Sequence, residues 1–189
     1  MIGTFLAALE RRRATGERVA PDGLGDAVVA TLRRWGAKRA LMPDDDVIHD
    51  RGIPDALRDA GIEVIVWPTD LPWRPLLGLD GAPATCAVTV PALAVAQRGT
   101  VVLATDASHG RSLDAVGWWH LSILPAERLV PTLAEALTRV YASGTPSAVS
   151  LVSGPSRTSD IEKITTYGAH GALAEHVLVV DGTLSPTSD

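Results

Sequence analysis

The sequence predicts an α/β three-layer sandwich with a mainly parallel sheet, and three observations support this fold class. A strand–helix–strand unit runs from residue 39 to residue 67, which is typical of parallel sheet. An apolar strand at 148–152 and another at 177–180 flank a polar segment near the end of the chain. Apolar residues at helical spacing mark amphipathic helices at about 24–35 and 131–142.

The remaining elements follow from local signals. Thr4 and Gly16 bound a helix at 3–15, and the Gly, Pro and Asp residues of 16–23 predict a loop. Gly36 ends the second helix. Four prolines in 68–84 indicate an ordered loop. The other expected elements are strands at 39–42, 62–67, 86–90, 100–104 and 119–124 and a helix at 53–60.

Length and composition favour one principal domain. The chain has 189 residues, of which 46% are hydrophobic and 21% charged, an ordinary globular balance. We expect an N-terminal helix and loop at 1–23, an α/β domain at 24–182 and a frayed tail at 183–189.

Several functional classes are disfavoured. The single cysteine excludes an intramolecular disulfide and a Cys-rich cluster held by this chain alone, so we expect no cofactor bound by this chain by itself. The five histidines lack metal-ligand spacing, so no metal site is expected. A net charge of −5 gives no support for nucleic-acid binding. The longest apolar stretch, 86–96, is too short to span a bilayer, so we expect a cytoplasmic protein.

The segment Ser153–Glu162 is the strongest candidate site. It follows an apolar strand, and ligands of open α/β sheets usually bind beyond the carboxyl ends of strands. Its hydroxyls, a flexible glycine, an arginine and an expected helix N-terminus together predict an anion-binding cradle. Ser159 and Glu162 equally fit a capping box that only starts a helix. The expected anion contacts, with Arg157 as the principal one, are Arg157, Ser153, Gly154, Ser156, Thr158, Gly99, Thr100 and His170.

Other chemically versatile residues are expected to be structural. His120 lies within an apolar strand and is interpreted as a buried structural histidine. Cys86 opens another apolar strand and is interpreted as an inert buried thiol. No Ser-His-Asp arrangement is legible from the order of the residues, so no catalytic residue is predicted.

The run Ser153–Glu162, followed by Gly168–Gly171 and the strand HVLVVD, resembles the LUD-domain family (DUF162), of the lactate utilization protein C type. The resemblance extends back through the stretch that begins at Gln97 and covers about residues 76–181. Gln97 and Arg98 stand where the family usually has an acidic residue and a threonine.

The resemblance implies a fold of the NagB/RpiA/CoA-transferase-like group. It also implies a non-cluster subunit of a system that oxidises L-lactate to pyruvate, with Cys-rich iron–sulfur subunits as partners. The chain would then bind a small anionic ligand or support those partners. The alternatives are a stand-alone isomerase, transferase or 5-formyltetrahydrofolate cyclo-ligase-like enzyme acting on a phosphorylated or carboxylate small molecule, and a pure interaction module. Enzymatic activity of the isolated chain and self-association into a homo-oligomer both stay open.

Overall fold

A computed structural model describes residues 1–79, 81–142, 144–158, 165–168 and 170–182. The helices of these residues are α1 (Ile2–Arg11), α2 (Leu24–Trp35), α3 (Asp46–His49), α4 (Ile53–Asp59), α5 (Trp73–Leu76) and α6 (Leu133–Ala142). Their strands are β1 (Thr15–Val19), β2 (Arg39–Pro43), β3 (Glu63–Trp67), β4 (Thr85–Thr89), β5 (Leu93–Val95), β6 (Thr100–Ala104), β7 (Trp119–Pro125), β8 (Leu129–Val130), β9 (Val149–Val152), β10 (Arg157–Thr158), β11 (Thr166–Tyr167) and β12 (Ala174–Val180).

The central sheet has six strands in the order β1-β12-β7-β4-β2-β3, and every neighbouring pair is parallel. The inner strands β2, β4 and β7 are buried along almost their whole length, as expected when helices or another sheet cover both faces. The predicted α/β class with a mainly parallel sheet is confirmed.

A second sheet has the order β8-β5-β6-β9, with antiparallel β5–β6 and β6–β9 pairs. The strands predicted at 100–104 and 148–152 belong to this sheet rather than to the central one. A two-residue antiparallel ladder, β10–β11, follows β9 in the chain.

Three apolar clusters hold the layers together. On one face of the central sheet, α2, α3 and α4 bury Leu32, Ile48 and Leu57. On the other face, Phe5 of α1 packs with residues of the second sheet and with Leu124 of β7. The outer face of the second sheet packs against α6. The second sheet thus lies between the central sheet and α6.

The N-terminal segment differs from the sequence prediction. Residues 15–19 form β1, paired in parallel with β12, although a loop was predicted at 16–23. The helix predicted at 3–15 ends at Arg11. Gly16 lets β1 approach α1, since a Cβ there would lie 2.8 Å from Leu9 Cδ1. Backbone pairing forms this edge strand without an alternating apolar pattern, so no strand could be predicted from its residues.

Two other predictions fall outside the described residues: the helix that Ser159 and Glu162 would start, and the frayed tail at 183–189. The proline-rich loop contains one short helix, α5. Within the described part of the chain, no helix combines the length and the apolar character that crossing a bilayer requires.

Candidate functional site

A cavity of about 220 Å³ opens where the central sheet meets the end of β9; we call it the polar chamber. Glu175 of β12 and His120 of β7 form its floor. These two residues are register partners on adjacent parallel strands, so their side chains point to the same face of the sheet. Both are almost fully buried, with 2% and 1% of their surfaces exposed.

The loop that follows β9 forms one wall of the polar chamber through Ser153, Gly154 and Ser156. The Gly154 N–H donates a hydrogen bond to Glu175 Oε2 at 2.5 Å. Gly154 adopts a φ of +98°, and a Cβ there would collide with the Arg12 carbonyl oxygen. Glycine is therefore required here both for its dihedral angle and for the close approach of α1.

Hydrogen bonds fix the remainder of this loop. The hydroxyls of Ser153 and Thr100 lie 2.6 Å apart, which ties the loop to β6. The Ser156 N–H donates to the Ala172 carbonyl at 2.9 Å, and the His170 N–H donates to Ser156 Oγ at 3.3 Å. The wall and the rim of the chamber are thus connected to each other.

Asp114 forms the opposite wall, on the segment that connects β6 to β7. Burial raises the pKa of Asp114, and a hydrogen bond with the Ser150 side chain only partly opposes this effect. The same segment covers β2 and β3 on this face of the central sheet, because its Leu113 packs on Leu41 and Ile65. The chamber is therefore the gap between the two structures that cover this face of the sheet.

A buried polar network supports His120. Its Nε2 lies 2.8 Å from Thr89 Oγ1 and 3.3 Å from Ser122 Oγ, and the two hydroxyls are 3.1 Å apart. His120 Nδ1 is buried and has no hydrogen-bond partner among the described residues. Burial, and secondarily the charge of His109, lowers the pKa of His120 to about 4. The imidazole is therefore neutral at physiological pH.

Glu175 is the second unusual group of the chamber floor. Its Oε2 accepts the Gly154 hydrogen bond, whereas its Oε1 is buried and finds no partner in the part of the chain that the structure describes. Burial raises the pKa of Glu175 to about 7, although the Gly154 N–H stabilises the ionised form. Protonated and ionised Glu175 therefore coexist near neutral pH, and this carboxyl group can either donate or accept a proton.

The polar chamber as a whole presents a neutral imidazole, two carboxyl groups with raised pKa values and several hydroxyls. Buried polar atoms are almost always hydrogen-bonded, so unpartnered ones at a cavity indicate a missing molecule or a functional role. A small polar molecule that both donates and accepts hydrogen bonds fits this set. Across the described residues, no group of three or more His, Cys, Asp or Glu side chains is arranged to hold a metal ion.

The structure places the predicted anion contacts in three groups. Ser153, Gly154, Ser156 and His170 line the chamber, and Thr100 lies behind Ser153. The structure therefore brings these five residues together, and their role as anion contacts stays a prediction.

The other three predicted contacts lie elsewhere. Gly99 packs against α1, where a Cβ would lie 2.6 Å from the backbone nitrogen of Leu9. Arg157 and Thr158 form β10; Arg157 is exposed and neither residue is among those described as lining the chamber.

Sequence reasoning missed Glu175 and Asp114, and it assigned His120 a purely structural role. Glu175 could have been found as the one carboxylate within the mainly apolar strand AEHVLVV. Glutamate is almost never fully buried unless it is paired, so its position in such a strand indicates a special role. The candidate site was predicted to lie beyond the carboxyl ends of strands, and among the strands that contribute to the chamber this holds for β9 only. Glu175 and His120 are each the second residue of their strand, so the chamber lies at the amino ends of β12 and β7.

This α/β chain is a LUD-domain protein. The LUD domain family model matches residues 3–180, and the chain belongs to this family. The chain is 28% identical over 172 residues to lactate utilization protein C of Bacillus licheniformis, covering 84% of this chain and 69% of that protein. It is 27% identical to lactate utilization protein C of Geobacillus kaustophilus, with the same coverage. The predicted family resemblance is confirmed.

A solved structure shares the fold. A DUF162 family protein from Deinococcus radiodurans superposes with a TM-score of 0.69 at 22% identity, covering 96% of each chain. The similarity confirms the fold class.

Proposed function

We propose that this chain is the non-cluster subunit of a cytoplasmic system that oxidises L-lactate to pyruvate, and that its polar chamber holds a small carboxylate. The relatives named lactate utilization protein C support the first part. The single cysteine, Cys86, is buried and cannot supply the thiolates of an iron–sulfur cluster. Clusters and electron transfer would then belong to Cys-rich partner subunits, and this chain would bind no cofactor alone.

The unpartnered atoms Glu175 Oε1 and His120 Nδ1 carry the second part of the proposal. Leaving such atoms unsatisfied costs on the order of 1–3 kcal/mol each, a cost that a bound polar ligand would remove. Protonated Glu175 can donate a hydrogen bond to a ligand carboxylate. At about 220 Å³ the chamber is smaller than the usual sites of drug-sized ligands, in keeping with a small acid.

Arg157 remains a proposed anion contact at the side of the chamber. It is exposed on β10 and immediately follows the loop of Ser153 and Ser156. We expect Arg157→Ala to weaken lactate binding less than Glu175→Gln does, because solvent screens an exposed charge. Isothermal titration calorimetry of the purified chain with lactate would compare the two variants. A larger loss of affinity in Arg157→Ala than in Glu175→Gln would show that the anion binds at β10 and not at the chamber floor.

Lactate-dependent electron flow in the parent organism tests the proposed function. Extracts of a strain that lacks this protein should no longer reduce an artificial electron acceptor with L-lactate, and the wild-type chain should restore the rate. Glu175→Gln should restore it poorly, whereas Glu10→Gln, an exposed substitution on α1, should restore it fully. An unchanged rate in the deletion strain would refute the lactate role.

One observation favours a second candidate, a stand-alone isomerase or a related enzyme. A buried carboxyl group with a pKa of about 7 beside a neutral imidazole suits general acid–base catalysis at neutral pH. Turnover of a phosphorylated sugar or another small carbonyl compound by the purified chain alone, and its loss in Glu175→Gln, would favour this function over the lactate system.

A further inference from the structure

A second cavity, of about 500 Å³, adjoins the polar chamber and is mostly apolar; we call it the apolar groove. Its walls include Leu77, Leu79, Trp118 and Leu173. The two cavities share lining residues, namely Ala115, His170 and Gly171. The two cavities therefore meet at these three residues, which places the mouth of the chamber beside the groove.

The apolar side chains of the groove are exposed yet held in place. Trp118 is 45% exposed, and its Nε1–H donates to the Leu77 carbonyl at 2.9 Å. The Leu173 N–H donates to the Trp118 carbonyl at 2.8 Å, and Leu173 is 42% exposed. Gly168 accommodates Leu173, because a Cβ at residue 168 would overlap the leucine side chain. Clustered, ordered apolar side chains at the surface are typical of binding sites.

We infer that the polar chamber and the apolar groove bind one amphipathic ligand: a carboxylic acid whose head group contacts Glu175 and His120 and whose apolar chain lies against Trp118 and Leu173. The inference uses the head-group site of the proposed function and adds the class of ligand. It implies that the preferred ligand carries an apolar group larger than the methyl group of lactate.

The inference predicts how affinity depends on chain length. Each methylene group transferred from water to an apolar site strengthens binding about fourfold. The chamber holds about 220 Å³, so the methylene groups of a longer ligand that extend beyond it would lie in the groove. Affinity should therefore rise from lactate through 2-hydroxybutanoate and 2-hydroxyhexanoate to 2-hydroxyoctanoate, by about fourfold for each methylene group that the groove covers.

Calorimetric titration of the whole chain with these four acids tests the inference. Leu173→Ser should reduce the ratio of 2-hydroxyoctanoate to lactate affinity by about three- to tenfold, because it removes one apolar wall. Leu71→Ser is the matched control: Leu71 is 44% exposed and is not among the described residues that line either cavity, so the ratio should stay at the wild-type value. Glu175→Gln should weaken all four acids by a similar factor, because it changes only the head-group contact.

Three results would overturn the inference. Equal affinities along the series would show that the ligand's alkyl chain does not enter the groove, and a protein partner would then be the better candidate to cover that surface. An undiminished affinity ratio in Leu173→Ser would show that the alkyl chain binds elsewhere. An equal rise for alkyl alcohols without a carboxylate would reveal unspecific apolar binding. None of these results alters the lactate-dependent electron flow of the deletion strain, so failure of this inference is distinguishable from failure of the proposed function.

Discussion

Replacing Glu175 with glutamine is expected to change how the stability of the fold depends on pH. In the unfolded chain the carboxyl group titrates near its ordinary pKa of 4.5, whereas burial raises the pKa to about 7 in the folded protein. Between these pH values the folded state binds more protons than the unfolded state. The free energy of unfolding that Glu175 contributes is therefore complete below pH 4.5 and is lost as the pH rises through 7.

The size of this effect follows from the two pKa values. At about 1.4 kcal/mol for each pH unit, the change from 4.5 to about 7 corresponds to about 3 kcal/mol. Glutamine does not titrate, and its carbonyl oxygen can still accept the Gly154 hydrogen bond. Relative to the wild type, Glu175→Gln should thus gain about 3 kcal/mol of stability between pH 4.5 and pH 8.

His120 produces the opposite slope and must be separated from this effect. Burial lowers its pKa from 6.5 to about 4, so its contribution to stability is present above pH 6.5 and is lost as the pH falls through 4. In the wild type the two slopes largely cancel between pH 4.5 and pH 6.5. The variant should therefore lose stability on acidification more steeply than the wild type does.

Urea unfolding followed by tryptophan fluorescence, at pH values from 4.5 to 8, measures these free energies directly. Glu10→Gln, on the exposed side of α1, controls for the loss of one negative charge. The difference between the Glu175→Gln and wild-type curves should grow with pH and level off above pH 8. A constant difference across this range would show that Glu175 is not buried as a titrating group, and the reasoning about the chamber floor would then be wrong.

Three further changes probe the surroundings of the chamber. Gly154→Ala should lower the melting temperature strongly, because the added Cβ would collide with Arg12. Gly144→Ala is the control: Gly144 has a φ of +127°, but no atom of the described residues lies within 4 Å of its Cβ position, so this variant should lose only about 1–3 kcal/mol through backbone strain. Similar losses of stability in the two variants would contradict the contact between Gly154 and Arg12. Phe5→Ala should destabilise the fold by about 3–5 kcal/mol in urea unfolding, and a loss below about 1 kcal/mol would mean that α1 is not docked between the sheets. Cys86 should react with Ellman's reagent only after unfolding, since burial raises the pKa of its thiol; rapid labelling of the native protein would refute its burial.

The helices and inner strands could be predicted because their signals are local. Leu24, Val28 and Leu32 recur at helical spacing and are buried on α2, and Gly36 ends this helix with a φ of +72°. Likewise, β4 is predominantly apolar and is buried at every position, which is typical of a strand covered on both faces. These features depend on residues that are neighbours in the sequence, so no knowledge of the tertiary fold is needed.

Features that depend on pairing between distant segments could not be predicted. β9 reads as a central strand, yet it pairs with β6 in the second sheet, and nothing in its own residues distinguishes the two sheets. The loop of the candidate site was found because Ser153, Gly154 and Ser156 are adjacent in the sequence. Its partners on the floor were missed because the Glu175–His120 pair exists only through the register of β12 against β7.

The position of β12 has a consequence for how the chain is made. β12 lies between β1 and β7, so Thr15 pairs with His176, 161 residues later in the chain. On the ribosome, β1 emerges early and has no sheet neighbour until residues 174–180 follow. At about 5–20 residues per second, this delay is on the order of ten seconds.

Once β7 has also been synthesised, the growing chain carries two unfinished strand edges, one on β1 and one on β7. Open edges of this kind pair readily with other chains. The chamber floor is also incomplete, because Glu175 arrives with the strand that closes both edges. The pairing of β12 with β1 and β7 therefore covers both open edges and completes the chamber floor in the same step.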